Sequence, residues 1–288
     1  MYDWLTEHKI PLGLWLRGFV DGLTTHGQGF FDAVSLALGG LIDALTAGLE
    51  LVPPLLFVAL VGAGAYWLHR SLALAAFAVL SLLLIINLGY WTETVQTLSL
   101  VFCATLVCVV VGVPLGIAAA HRPWVYTVLR PFLDLMQTIP TFVYLIPTLV
   151  LFGLGAVPGL ISTVIFAIPA PIRLTYLGLS SVPTALREAA AAFGATRRQL
   201  LFKVELPHAL PTIMAGVTQC IMLSLSMVVI AALVGADGLG KPVVRALNTV
   251  NIGMGFEAGL AIVILAILLD RICKRPVARR AVRRERGA

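Results

Sequence analysis

Residues Ser180 to Pro211 read SSVPTALREAAAAFGATRRQLLFKVELPHALP, a polar, alanine-rich insert between two long apolar runs. Pro183 and Thr184 open a helix favourably, and ALREAAAAF has high helical propensity. Gly194 stands where a left-handed residue stops a helix. Thr196 and Gln199 then make Thr-x-x-Gln, a capping box that opens a second helix through about Leu206, which Pro207 closes. The stretch therefore predicts two short helices around a glycine turn. A merely solvated loop needs no row of small residues beside Phe193. Small side chains let another surface approach the backbone, and Phe193 and Leu200 offer it apolar anchors. A DNA-reading helix-turn-helix has the same outline. Here the next helix enters an apolar run within a few residues, which leaves no reach into a groove. Docking of a partner protein is the better reading, and no nucleic acid is expected.

The flanking composition says where this loop sits. Of the 288 residues, 59% are hydrophobic and 12% charged, about half the charge of an ordinary soluble domain. Mean hydropathy is +0.98. So much apolar surface calls for lipid as the solvent, and seven runs have about the length a helix needs to cross a bilayer. They are Leu51–Leu68, Leu72–Tyr90, Val95–Ala120, Val128–Phe152, Ala156–Gly178, Pro211–Val234 and Met254–Ile272. Alternating barrel patterns are absent, so the expected fold is an all-α polytopic membrane protein.

Charge orients it. With these spans, sixteen of the twenty Lys and Arg residues fall on one side, including Arg70, Arg122, Arg130, Arg173, Arg187, Arg197, Arg198, Lys203 and the tail RICKRPVARRAVRRER. Lys9, Arg17, Lys241 and Arg245 fall on the other. The positive-inside rule then puts the 179–208 loop and the basic tail, 273–288, in the cytoplasm and the N-terminus outside. A juxtamembrane basic run is an anchor beside anionic lipid.

GADGLGKP, Gly235–Pro242, has the spacing of a phosphate-binding loop except at its end. That motif needs a Ser or Thr hydroxyl for magnesium, where Pro242 offers neither hydroxyl nor N–H. The stretch also follows a membrane helix on the outer side. It reads as a tight turn that ends a span, not as a nucleotide site, and no cofactor is expected.

Residues 1–50 form an outer segment with no secretory leader pattern. Within it Phe31, Val34, Leu38, Leu41, Leu45 and Leu49 share one helical face, while Asp32, Ser35, Asp43, Thr46 and Glu50 share the other. This predicts an amphipathic helix on the membrane surface or against a neighbouring subunit. Cys103, Cys108, Cys220 and Cys273 lack metal-ligand spacing and read as small hydrophobes. His8, His26, His69, His121 and His208 form no cluster, so no metal site is expected.

With topology and loop in hand, a resemblance emerges. Glu188-Ala189-Ala190, three residues, Gly194, nine residues, then Val204-x-Leu206-Pro207 resembles the "EAA" signature of permease subunits of ABC importers, with Val for the usual Ile. Similarity extends over most of residues 95–272. LDLMQTIPTFVYLIP, IPAPIRLTYLGLSSVP, GADGLGKPV and GFEAGLAIVILAILLDR look like the branch that imports glycine betaine, proline betaine or choline, and the closeness of the resemblance slightly favours choline. The first fifty residues lie outside the likeness. The resemblance implies a type I ABC importer-like bundle in a bacterial inner membrane. It also implies that Glu188, Ala189, Ala190, Phe193, Gly194, Thr196, Leu206 and Pro207 form the docking element for a separate ATPase. Two ATPase subunits, an external substrate-binding protein and a second copy of the chain are the implied partners, since a two-fold ATPase presents two grooves and this chain has one loop. This permease domain spans residues 51–272, and the chain itself is not expected to be an enzyme.

In such a dimer, polar residues within spans face the lumen or one another. Asp134, Gln137, Thr138 and Tyr144 in the fourth span, and Gln219, Met222 and Ser226 in the sixth, are the pathway candidates. Interhelical hydrogen bonding would account for the same residues. Asp134 is an intramembrane carboxylate that Arg130, one turn earlier, would neutralise; otherwise it is an acidic lining for a cationic head group. The competing function is a stand-alone ion-coupled transporter or channel. The absence of a visible repeat and the scarcity of buried charge weigh against it.

Overall fold

The computed structural model describes residues 11–274, and these form helices joined by short turns, with no strand among the described residues. The first helix, α1 (Leu12–Glu50), is followed by a hairpin of α2 (Pro54–His69) and α3 (Leu72–Asn87). Then come α4 (Trp91–His121), α5 (Pro123–Thr138), a 3₁₀ turn (Thr141–Tyr144) and α6 (Leu145–Phe152). The chain continues through α7 (Ala156–Ala167), α8 (Pro169–Ser180), α9 (Thr184–Ala192) and α10 (Arg197–Leu200). A π-turn (Leu201–Glu205) leads into α11 (Leu206–Ala232), and α12 (Gly240–Asn248) and α13 (Ile252–Cys273) end the described chain.

Five helical stretches are long and apolar enough to cross a bilayer: Gly13–Glu50, Trp91–His121, Ala156–Ser180, Arg197–Ala232 and Ile252–Cys273. The expected fourth span is not one straight helix. It breaks at Ile139–Pro140, and the two arms diverge by 107°. Pro140 has no N–H to continue the ladder and forces Ile139 into extended backbone (φ −66°, ψ 132°). The hairpin helices α2 and α3 hold 16 residues each, about 24 Å at the usual rise and less than a full crossing. They stay in register by facing Gly62 toward Val79 and by turning at Arg70 in left-handed backbone.

The N-terminal segment departs further from expectation. Instead of lying alone on a surface, α1 is a 39-residue helix docked on the chain's own bundle. Ile42 is buried among Cys103, Ala104 and Leu160, and the Phe31 ring meets Phe152 edge-on at 5.4 Å. The packed face includes Phe31, Leu38 and Leu45 as read from sequence, but Ile42 is buried and Leu41 is left exposed. Helical period alone cannot choose between those two neighbours.

At the centre, α8 lies between α4 and α11 at very short range. A Cβ on Gly116 would stand 2.6 Å from the Thr175 Cβ and 2.8 Å from the Ile172 carbonyl oxygen. Against α11, Gly178 faces the Ala209 carbonyl and Gly216 faces Leu174. Backbones this close leave no room for lipid between them. A second cluster joins Val58, Ala78, Leu82 and Ile85 of the hairpin to Ala261, Ile264 and Leu265 of α13.

GADGLGKP closes the end of the bundle away from the 180–211 loop. Leu239 is fully buried, and its N–H donates to Thr97 Oγ1 at 2.9 Å. Gly240 sits against the Val228 carbonyl, where no side chain fits. The glycines serve packing, as the missing hydroxyl at Pro242 indicates.

Candidate functional site

The residues of the 180–211 loop fold as two helices around a glycine turn, projecting from the end of the bundle. α9 contains no buried residue. Gly194 follows it at φ +74° and donates its N–H to the Ala191 carbonyl, while Ala195 donates to Ala190. This is the left-handed stop that the sequence predicts. The capping box forms in both directions: Thr196 Oγ1 accepts from the Gln199 N–H, and Gln199 Oε1 accepts from the Thr196 N–H.

Glu188, Ala189, Phe193, Gly194 and Thr196 are exposed together at the tip, and Ala190 is half-buried. Phe193 is 93% exposed. Exposed aromatic rings are among the side chains that anchor protein interfaces. Leu200, expected beside it, is half-buried instead. Leu206 and Pro207 also lie away from the tip. Leu206 packs on Leu179, Ala209 and Ile213 at the root of α11.

Pro207 does not close the second helix. Arg197–Ala232 is continuous, because the π-turn at Leu201–Glu205 widens the backbone just ahead of the proline. The wider turn accommodates a ring that would otherwise meet the carbonyl four residues back.

The π-turn also delivers a group that the sequence reading missed. Glu205 is only 2% exposed. Its Oε2 lies 2.9 Å from His121 Nε2 at the end of α4, and its Oε1 lies 3.0 Å from Arg187 Nε on α9. The second contact is an ion pair without hydrogen-bond alignment, since the Arg187 Nε–H has no acceptor. Arg187 Nη2 donates to the Leu179 carbonyl at 2.6 Å. The available signal was a lone carboxylate, VELP, at the entry to an apolar run; its partners are too distant in sequence to be named from it.

At membrane depth the polar candidates divide. Asp134 pairs with Arg173 on α8, Nη2 to Oδ1 at 2.6 Å, and Arg173 Nη1 donates to Gln137 Oε1 at 2.8 Å. Arg130, the partner expected from spacing, stands farther off at 4.0 Å. One turn along the same seam the Tyr126 and Tyr176 rings stack at 3.8 Å. Tyr144 faces no open path: it is buried, and its hydroxyl donates to the Met136 carbonyl at 2.5 Å, bracing the break between α5 and α6. Thr138 is exposed and donates to Leu135 O.

Gln219 and Ser226 are exposed on one face of α11 with Met222 half-buried between them. Gln219 and Met222 line a cavity of about 740 Å³ with Met214, Thr218, Cys273 and Lys274. Ser226 lies beyond it and donates to the Met222 carbonyl. A polar stripe left bare on a helix of this hydropathy needs water or another chain against it.

Known proteins resemble this chain over most of its length. The family described as the binding-protein-dependent transport system inner membrane component matches residues 112–275. The chain is 49% identical to the glycine betaine/carnitine transport permease protein GbuB of Listeria monocytogenes, over 91% of this chain and 94% of that protein. It is 48% identical to the glycine betaine transport system permease protein OpuAB of Bacillus subtilis, over 92% and 93%. The glycine betaine/proline betaine permease protein ProW of Escherichia coli is 43% identical, over 94% and 81%. Among solved structures, an inward-facing form of the MetNI methionine ABC transporter superposes with a TM-score of 0.56 at 27% identity, covering 65% of this chain and 92% of that one.

Proposed function

The chain belongs to the family of binding-protein-dependent transport system inner membrane components, and from that membership we propose which solute it moves, what drives it and how it is oriented. It is a multi-pass inner-membrane permease of an ABC importer, with the helical fold of a type I importer permease. The solute is a small quaternary-ammonium compound, glycine betaine before choline. The permeases with which it shares 43–49% identity over most of its length are named for glycine betaine. A relative named for choline transport is 38% identical over 51% of the chain.

A separate ATPase supplies the energy. The observation that carries this is the bare α9–Gly194–α10 tip with Phe193 93% exposed, a surface that the described residues leave uncovered. That end of the bundle faces the cytoplasm and the opposite end receives an external binding protein. Two copies pair across the polar face of α11, so that Gln219, Met222 and Ser226 border the path. Taking a gate from mostly closed to mostly open requires about 5.5 kcal/mol of differential binding. Closure of an ATPase pair on the two loops is a sufficient source.

The test is to purify the chain with its genomic-neighbour ATPase and binding protein in liposomes. Glycine betaine is expected to stimulate ATP hydrolysis and enter the vesicles, with choline weaker. If no ATPase co-purifies, or if an ion gradient alone drives uptake, the coupling reading fails. If choline stimulates more strongly than glycine betaine, the substrate assignment fails while the coupling reading stands.

A further inference from the structure

α9 itself buries no residue, and the apolar anchors of its loop lie beyond its two ends, at Val182 before it and at Leu201 and Leu206 after it. Those two ends are joints: Pro183 at one and Gly194, at φ +74°, at the other. A lever on two joints loses motion unless something ties it down. The tie is Arg187. It donates to the Leu179 carbonyl at the end of α8 and ion-pairs with Glu205, which in turn meets His121 at the end of α4. His121 Nδ1 also lies 2.9 Å from the Ile117 carbonyl of its own helix, fixing the ring.

We propose that Glu205 is a positioning residue that makes α9 rigid with α4 and α8, so that movement of the loop is passed into the membrane bundle rather than absorbed at Pro183 and Gly194. This rests on the reading of the α9 tip as the ATPase contact. With Glu205 only 2% exposed, its two carboxylate oxygens depend on these two contacts in place of water. Pulling Arg187 away would strand one of them, which is what makes the connection stiff. The π-turn has the same logic, since an extra residue in the turn aims Glu205 between Arg187 and His121, and such bulges recur at functional positions. Beyond the tie, α4 and α8 touch backbone to side chain at Gly116, so the motion has a continuous path.

The experiment uses the complete transporter in proteoliposomes and reads solute uptake per ATP hydrolysed. For Glu205→Gln, the ATPase still co-purifies and hydrolysis persists, while uptake per ATP falls about tenfold, the scale of ordinary site-to-site coupling. Arg187→Gln has the same effect and Arg187→Lys recovers part of it, because Lys keeps the charge and loses the reach to the Leu179 carbonyl. Arg187 and His121 are half-exposed, at 35% and 45% of their side chains. Arg187→Gln and His121→Gln therefore test the idea even if Glu205→Gln fails to fold. Uptake and hydrolysis falling in parallel, with their ratio unchanged, would assign the clasp to stability alone and overturn the proposal. Failure of the unaltered chain to hold an ATPase would overturn the docking reading beneath it.

Discussion

Arg173 and Asp134, 39 residues apart and on different helices, meet at 2.6 Å between Nη2 and Oδ1. The pair ties the first arm of the broken span to α8, which runs directly into the 180–211 loop. Its side chains are 34% and 54% exposed, so it is screened rather than sealed. Removing one charge at Asp134→Asn should cost about 1 kcal/mol, read as a fall of about 2–4 °C in the thermal midpoint of the purified protein. The double exchange Asp134→Arg with Arg173→Asp should recover part of that loss, whereas Arg130→Gln should do little from 4.0 Å.

Gly194 holds left-handed backbone, yet a Cβ there would meet nothing within 4 Å. The strain of a substitution is thus conformational, about 1–3 kcal/mol for a residue that disfavours this region. Gly194→Asn should keep the turn and retain ATPase binding; Gly194→Val should lose coupling while the membrane bundle folds normally. Pull-down of the ATPase and circular dichroism, measured on the same samples, separate the two effects.

Phe193→Ala removes a ring that is 93% exposed among the described residues, so the midpoint of unfolding should not move. Binding of the ATPase should weaken by about 2 kcal/mol, near thirtyfold, as for an aromatic anchor at an interface. Titration of the ATPase onto detergent-solubilised permease gives the number.

Gly116→Val presents the opposite case. Its Cβ would fall 2.6 Å from the Thr175 Cβ and 2.8 Å from a backbone oxygen, neither of which can swing aside. Overpacking of this kind costs about 1–3 kcal/mol. The yield of folded protein should drop, along with thermal stability, before any question of coupling arises.

Ser226 lies on the bare face of α11 proposed to meet a second copy. Cys103, Cys108 and Cys220 are buried, so Cys273→Ser removes the one half-exposed thiol among the described residues. In that background Ser226→Cys should cross-link to its counterpart with a short bis-maleimide in native membranes. A cysteine at Phe102, exposed on α4, should not.

Composition and span length alone determined an all-helical membrane protein, because lipid leaves a chain of this hydropathy no other way to satisfy its backbone. The loop was equally legible, since Pro183, Gly194, Thr196 and Gln199 act on neighbours within a turn of themselves. The structure decided what depends on distant pairings. Arg173 displaced Arg130 as the partner of Asp134, Ile42 replaced Leu41 on the packed face of α1, and Tyr144 proved a brace. Pro207 joined a continuous helix because the π-turn before it made room. Glu205 with Arg187 and His121 was invisible in one dimension: a side-chain contact across 84 residues, like that of His121 and Glu205, leaves no periodicity behind it. Local rules fix where helices start and stop, but which side chains meet is set only when the helices pack.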